Sequence, residues 1–263
     1  MKIVHPFTAG LHRNISKIVP VILFFALWEL AARYGRFSTS TISPPFSTVI
    51  LEMAALFKSG VMMKNLVSTI GRVLIGLSMG MISGITVGIV MGLRDTVGRS
   101  LSPIISILYP IPALGWLPLM MLWIGINEML PIAIITIGTF FPTCYNTAAG
   151  IHNVDRGIVS AAQILGASEK RILFEVILPN AAPQVFAGLK LSSGMAWRMV
   201  LAAEMVAIPT GIGALIMKAE SLVRVDIILA CLVVLSFFCL FFEKCLEIIE
   251  RKWTGKWSCH ARN

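Results

Sequence analysis

Few residues in this 263-residue chain have reactive chemistry, and they are spaced so that they cannot act together. The four histidines, His5, His12, His152 and His260, lie outside the long apolar runs and far from one another. They offer no metal cage and no acid–base pair at the depth of those runs. The five cysteines, Cys144, Cys231, Cys239, Cys245 and Cys259, include no C-x-x-C pair and no histidine at ligand spacing, so they read as small apolar helix residues. No G-x-x-x-x-G-K-[ST] loop is present to cradle ATP phosphates. These observations point away from an enzyme and imply no cofactor and no metal. What remains is a short set of ionisable residues inside apolar runs: Glu29, Arg72, Arg198 and Glu204. Each is expensive in hydrocarbon and so marks a partner or a wet path.

The elements that must position these groups follow from composition. The chain is 57% hydrophobic and only 13% charged, with a mean hydropathy of +0.85. A soluble domain carries roughly 25% charge, so lipid is the expected solvent. The net charge of +9 then reads as membrane topology and attraction to anionic lipid, not as nucleic-acid binding. About 20 apolar residues cross a bilayer, and six segments qualify: 18–34, 67–93, 103–126, 130–149, 181–208 and 227–249. The expected class is an all-α integral membrane protein forming one transmembrane domain over residues 1–263, with a core at about 18–250. The first run lacks a small-residue cleavage site and is expected to stay in the membrane.

Placing both termini on one side gives that side fourteen basic residues, from Lys2, Arg13 and Lys17 to Lys256 and Arg262. The other side has six, among them Arg33, Arg36 and Lys58. The positive-inside rule puts the richer side, with the loop at 150–183, in the cytoplasm. Outside, Pro44-Pro45 precedes a stripe of Phe46, Val49, Ile50, Met53, Ala54 and Phe57, with Lys58 and Gly60 as stop signals. This predicts a short amphipathic helix that lies on the outer surface or covers the protein's own outer face.

Inside the spans, Gly76, Gly80, Gly84, Gly88 and Gly92 recur every four residues and form a groove for a closely packed helix, in this chain or another. The third span holds Pro110, Pro112 and Pro118 around Trp116. Broken helix at membrane depth survives where it is buried in protein or lines a wet cavity. The reading here is either a kink or a pathway lining. Glu29 and Arg33 can pair four residues apart, and Arg72 can snorkel to the outer interface. Arg198 and Glu204 are six residues apart, off one helical face, so each must find a partner elsewhere. The candidates for the pathway or its gate are Arg72, Pro110, Pro112, Trp116, Trp197, Arg198 and Glu204.

The cytoplasmic stretch 150–183 is polar within a greasy chain. Val154, Ile158, Ala161, Ala162 and Leu165 form a helical stripe, Gly166 permits a sharp redirection, and Ile172, Leu173 and Val176 continue a second short helix that Pro179 should stop. Lys170, Arg171 and Glu175 stay polar on its outer side. The pair reads as a rigid protrusion for docking.

Residues 160–179 resemble the EAA loop of ABC importer permeases: Ala161-Ala162, Gly166 in register, and Val176-Ile177-Leu178-Pro179 at the close, with Ser160 where the family usually has Glu. Residues 27–31, 110–118, 196–197 and 202–205 resemble the nitrate/taurine/sulfonate branch of the same permeases. The resemblance implies a type I importer fold with coupling helices between helices 4 and 5, in the cell inner membrane. It also implies a homodimer working with two cytoplasmic ATPase subunits and an extracytoplasmic solute-binding protein. Ser160, Ala161, Ala162, Gly166, Lys170, Arg171 and Pro179 would form the ATPase-docking loop. The branch favours small anions such as nitrate, sulfonates, taurine or bicarbonate. Arg72 and Arg198 would offset an anion's charge, although a neutral or cationic metabolite such as a thiamine precursor is the alternative. An ion-coupled carrier would need proton relays, and intramembrane carboxylates are scarce.

Overall fold

The long apolar runs fold as helices because hydrocarbon leaves backbone polar groups no partner but the helix itself. The structure, a computed structural model, describes residues 6–34 and 43–254, with the side chains of 6–18, 21 and 254 excepted. Lys2, His5, Arg36, Lys256, Cys259, His260 and Arg262, and the side chains of His12, Arg13 and Lys17, therefore lie outside the described residues.

Eleven α-helices are described: α1 Pro6–Tyr34, α2 Phe46–Lys58, α3 Val61–Leu93, α4 Asp95–Leu108, α5 Leu117–Ile124, α6 Met129–His152, α7 Arg156–Ile164, α8 Glu169–Ile172, α9 Leu178–Ala207, α10 Ile212–Ser221 and α11 Val225–Thr254. A 3₁₀ turn, Ala113–Trp116, leads into α5, and a π turn, Leu173–Ile177, joins α8 to α9. Four helical stretches are long and apolar enough to cross a membrane: Val61–Leu93, Met129–His152, Glu169–Ala207 and Val225–Trp253. The pair Asp95–Leu108 and Ala113–Ile124 makes a fifth, bent by 86°. The expected first span lies on α1, whose Val19, Ile22, Leu23, Phe24 and Leu27 are exposed.

The chain divides into two compact units, Met1–Met63 with Leu215–Val233, and Lys64–Ala214 with Val234–Asn263. In the first, the Phe46 ring of α2 packs on Phe25 and Trp28 of α1 at 4.4 and 5.6 Å. The Glu29 carboxylate accepts hydrogen bonds from the Ser47 N–H (3.0 Å), the Ser47 hydroxyl (2.9 Å) and Arg33 Nε (2.6 Å). A carboxylate at the N-terminus of α2 is where the helix dipole favours it. Val49 and Leu56 are the buried side of α2, so this helix covers its own unit. Arg224 pairs with Glu52 at 2.9 Å and Asp226 at 2.8 Å.

The second unit is built on α6. Cβ atoms placed on the five regularly spaced glycines of α3 would meet α6 in turn: Ile135 Cβ at 2.8 Å from Gly76, Thr136 O at 2.8 Å from Gly80, Phe140 O at 2.8 Å from Gly84, Thr147 Cβ at 2.6 Å from Gly88 and Ile151 Cβ at 2.7 Å from Gly92. The groove is thus filled by α6 of the same chain. On another face α6 packs extensively against α9. There Gly188 admits the Asn146 side chain, Gly150 admits Gln184, and the Thr143 and Ser192 hydroxyls bond at 2.8 Å. Small residues let the backbones approach closely, which is how helices associate without a hydrophobic drive between them.

One expectation about these helices is corrected and another holds. Pro179 does not stop the helix, which runs continuously from Glu169 to Ala207. The backbone widens to a π turn over Leu173–Ile177, where Pro179 removes a hydrogen bond and crowds the carbonyl of residue 175. The third span is broken at its prolines, as their number suggests: α4 ends at Leu108, and the chain turns through Pro110 and Pro112 before α5.

Candidate functional site

The loop between α6 and α9 is organised by its own capping groups. Asp155 starts α7, its Oδ1 accepting the Gly157 N–H at 2.7 Å. At the other end Gly166 adopts φ +80°, its N–H bonds Gln163 O at 2.9 Å, and the Ala167 N–H bonds Ala162 O at 3.1 Å. This is the paired pattern of a Schellman stop, and the left-handed residue is why glycine stands there. Ser168 caps α8 through the Arg171 N–H at 3.4 Å, and Arg171 pairs with Glu175 at 2.8 Å on the exposed side. The result is a short helix, a fixed corner and a second helix.

None of the α7 residues is buried. Ile158 is 48% exposed, Ile164 and Leu165 are each 86% exposed, and Phe174 beyond the corner is 66% exposed. Ser160, Ala161, Gly166, Lys170 and Arg171 are exposed, while Ala162 and Pro179 are half-buried. The helical stripe legible in the sequence thus ends on uncovered apolar side chains. The corner is fixed and its tip is apolar.

The ionisable residues resolve differently from their sequence reading. Arg72 does not snorkel: it is 3% exposed. Its Nη1 donates to Glu204 Oε1 at 2.6 Å and to Thr210 O at 2.9 Å. Nε and Nη2 donate to the two oxygens of Glu128 at 2.7 and 2.8 Å, and Nη2 also to Thr210 Oγ1 at 2.6 Å. All five guanidinium hydrogens are therefore used. Glu204, fully buried, also accepts from Thr69 Oγ1 at 2.9 Å and the Gly213 N–H at 3.0 Å. Thr69 Oγ1 in turn accepts the Ile212 N–H at 2.9 Å, and Asn65 Oδ1 the Gly211 N–H at 2.9 Å. The chain 208–213 is folded over the pair. Gly211 has φ +104°, and a Cβ there would strike the Glu204 carboxylate.

Sequence reasoning located Arg72 and Glu204 but missed Glu128, Thr210, Gly211 and Gly213. The signal was the Pro-Thr-Gly-Ile-Gly run after Glu204, a tight turn with two glycines. One guanidinium facing two carboxylates leaves no positive charge over, so Arg72 is no attractor for an anion. Trp197 is 1% exposed and packs on Phe242 and Phe238 of α11 at 5.4 and 6.5 Å. It belongs to the packed interior of its unit. Arg198 is exposed and makes no hydrogen bond or ion pair among the described residues.

The broken segment lines space. Pro110 and Pro112, with Tyr109 and Ile111, bound a cavity of about 150 Å³ against Gly138 and Phe141 of α6 and Met199 of α9. Trp116 is half-buried, its Nε1 enclosed and without a hydrogen-bond partner among the described residues. Among the same residues no cluster of three metal-ligating side chains forms.

Comparison with known proteins gives this geometry its context. Residues 84–255 match the family described as binding-protein-dependent transport system inner membrane component. A putative ABC transporter permease protein of Methanocaldococcus jannaschii is 36% identical over 244 residues, covering 91% of each chain. The taurine transport system permease protein TauC of Escherichia coli K12 is 35% identical over 249 residues, covering 93% of this chain and 90% of that one. A chain from an inward-facing structure of the MetNI methionine ABC transporter superposes with a TM-score of 0.60 at 16% identity, covering 81% of this chain and 99% of that one. The apolar helices, the exposed elbow after α6 and these matches lead to one conclusion: the chain belongs to the family of inner-membrane components of binding-protein-dependent transport systems, the permeases of ABC importers.

Proposed function

We propose that the chain is one of two identical permease subunits that together carry a small anion inward across the cell inner membrane. It would act as a single transmembrane domain of six spans with both termini cytoplasmic. The family implies separate ATPase subunits and an extracytoplasmic binding protein. The permease itself makes and breaks no covalent bond. In this reading α7, the Gly166 corner and α8, carrying Ser160, Ala161, Ala162, Lys170 and Arg171, seat in a cleft of the ATPase. ATPase closure on ATP draws the two elbows together, and hydrolysis releases them. Because α9 grows from the elbow without a break, a push on α7 reaches the α6–α9 pair as a rigid movement. The observation that carries this reading is the uncovered apolar tip of a fully capped helix.

The pathway is assigned to the cavity walled by Pro110 and Pro112. Arg72, Glu204 and Trp197 are assigned to holding the helices in place, and the stripe from Gly76 to Gly92 to seating α3 on α6. The choice of a sulfonate-bearing solute is supported by the similarity to a taurine permease and not by Arg72, whose charge is spent on Glu204 and Glu128. The test is reconstitution of the permease, its ATPase and its binding protein in vesicles. An alkanesulfonate such as ethanesulfonate should stimulate ATP hydrolysis and accumulate inside. Stimulation by neutral or cationic solutes alone would overturn the anion assignment.

A further inference from the structure

A second and larger cavity, of about 640 Å³, opens where α3 ends, α4 begins and α6 ends, all within one unit. Its walls differ from those of the small cavity. Arg99, Ser102 and Ser106 enter from α4 at helical spacing, His152 from the last turn of α6 and Arg156 from the first turn of α7. Asp95 is the acidic group on the same wall. Among the described residues, neither Arg99 nor Arg156 makes a hydrogen bond or an ion pair, and both are exposed. Two guanidiniums against one carboxylate leave the cavity with a positive excess. The hydroxyls and the imidazole add donors.

The opposite face of α4 fixes what kind of space this is. Ile104 and Ile107 are 52% and 71% exposed there. A helix with one bare apolar face and one face of arginine and serine belongs between hydrocarbon and water. The cavity is the wet side. Tyr145 lines this cavity, and its ring stacks on Tyr109 at 6.1 Å and 14°. Tyr109 also lines the small cavity of the broken span, so the stacked pair borders both spaces.

We propose that this cavity is a binding site for a small soluble oxyanion of the sulfonate or sulfate class, reached from the cytoplasm and held by Arg99 and Arg156. The proposal rests on the orientation and anion reading given above, and it adds a site on the release side. Planar guanidiniums match the oxygens of such an anion in pairs. Lipid phosphate has the same chemistry. The soluble source is favoured because the charged residues face the cavity, away from the exposed apolar face of α4.

The experiment uses the complete permease–ATPase complex in phosphatidylcholine nanodiscs, without its binding protein, and radiolabelled ethanesulfonate in equilibrium dialysis. Saturable binding is expected. It should weaken about tenfold for each arginine removed as Arg99→Gln or Arg156→Gln, and partly return with lysine at the same positions. Equal melting temperatures establish that the variants fold. Uptake is read separately, in vesicles that hold the same complex with its binding protein; binding unchanged in the double variant, with ATP-driven ethanesulfonate uptake still working there, overturns the cavity site alone. Arginine-dependent binding without any anion-driven uptake sustains the site and overturns the transport reading. Ethanesulfonate failing to bind, with phosphatidylglycerol instead co-purifying in an arginine-dependent way, overturns the soluble ligand.

Discussion

Glu204→Ala separates a structural carboxylate from a gating one, and the geometry sets the size of the effect. Removing one partner of a buried ion pair costs about 3–5 kcal/mol, because a charge stays buried and uncompensated. Here Arg72 keeps Glu128, which grips Nε and Nη2 from an exposed position (67% exposed). The lower end, about 3 kcal/mol, is therefore expected. For a domain of this size that corresponds to a fall of about 6–12 °C in melting temperature, read by thermal unfolding of the purified permease in detergent. Arg72→Leu combined with Glu204→Leu should cost less than the two single changes summed, with a coupling of about 2 kcal/mol. Transport per folded molecule should survive wherever the protein remains assembled. If Glu204→Ala unfolds at the wild-type temperature but abolishes uptake, the structural assignment is wrong and Glu204 acts in the pathway.

Other outcomes follow from the same geometry. Gly80→Val should lower the melting temperature by forcing α3 off Thr136 and Thr139, with overpacking of about 1–3 kcal/mol, whereas Gly71→Ala, which has nothing within 4 Å, should be silent in the same melt. Gly211→Ala should lose about 2 kcal/mol or more in denaturant titration, from a left-handed backbone combined with a clash against Glu204. Changing Ile164 and Leu165 together to Asp should leave the melting temperature of the isolated permease unchanged, since both are exposed, yet abolish co-purification of the ATPase. Gly166→Val should also abolish co-purification, because valine cannot hold the φ +80° corner, while the permease still inserts in the membrane; ATPase retention with normal uptake in either variant removes the docking role.

What was readable in the sequence was whatever depended on neighbours along the chain. The four-residue glycine period announces a groove because one helix face carries it, although nothing in the sequence names α6 as the filler. The Gly166 corner is readable because only glycine takes that backbone conformation cheaply. The partners of Arg72 are distant: Glu204 lies 132 residues away and Glu128 lies 56, at the start of α6. An arginine near a helix end is equally compatible with snorkelling and with burial until the opposing helix is known. Pro179 shows the same limit. Its local rule ends a helix, but a π turn and the packing of α9 against α6 carry the helix through. The small helix α10 also escaped notice, lying between two apolar runs that looked like the only structure there.

The central claim is that α7 transmits the work of ATP hydrolysis to α6 and α9. The most direct measurement places the permease and binding protein in vesicles with wild-type ATPase, with a hydrolysis-dead ATPase, or with none, and follows solute accumulation against its gradient. Accumulation only with the wild-type ATPase, and its loss in the Ile164/Leu165 variant with the ATPase supplied in excess, is the predicted result. Accumulation in vesicles that hold no working ATPase would contradict it.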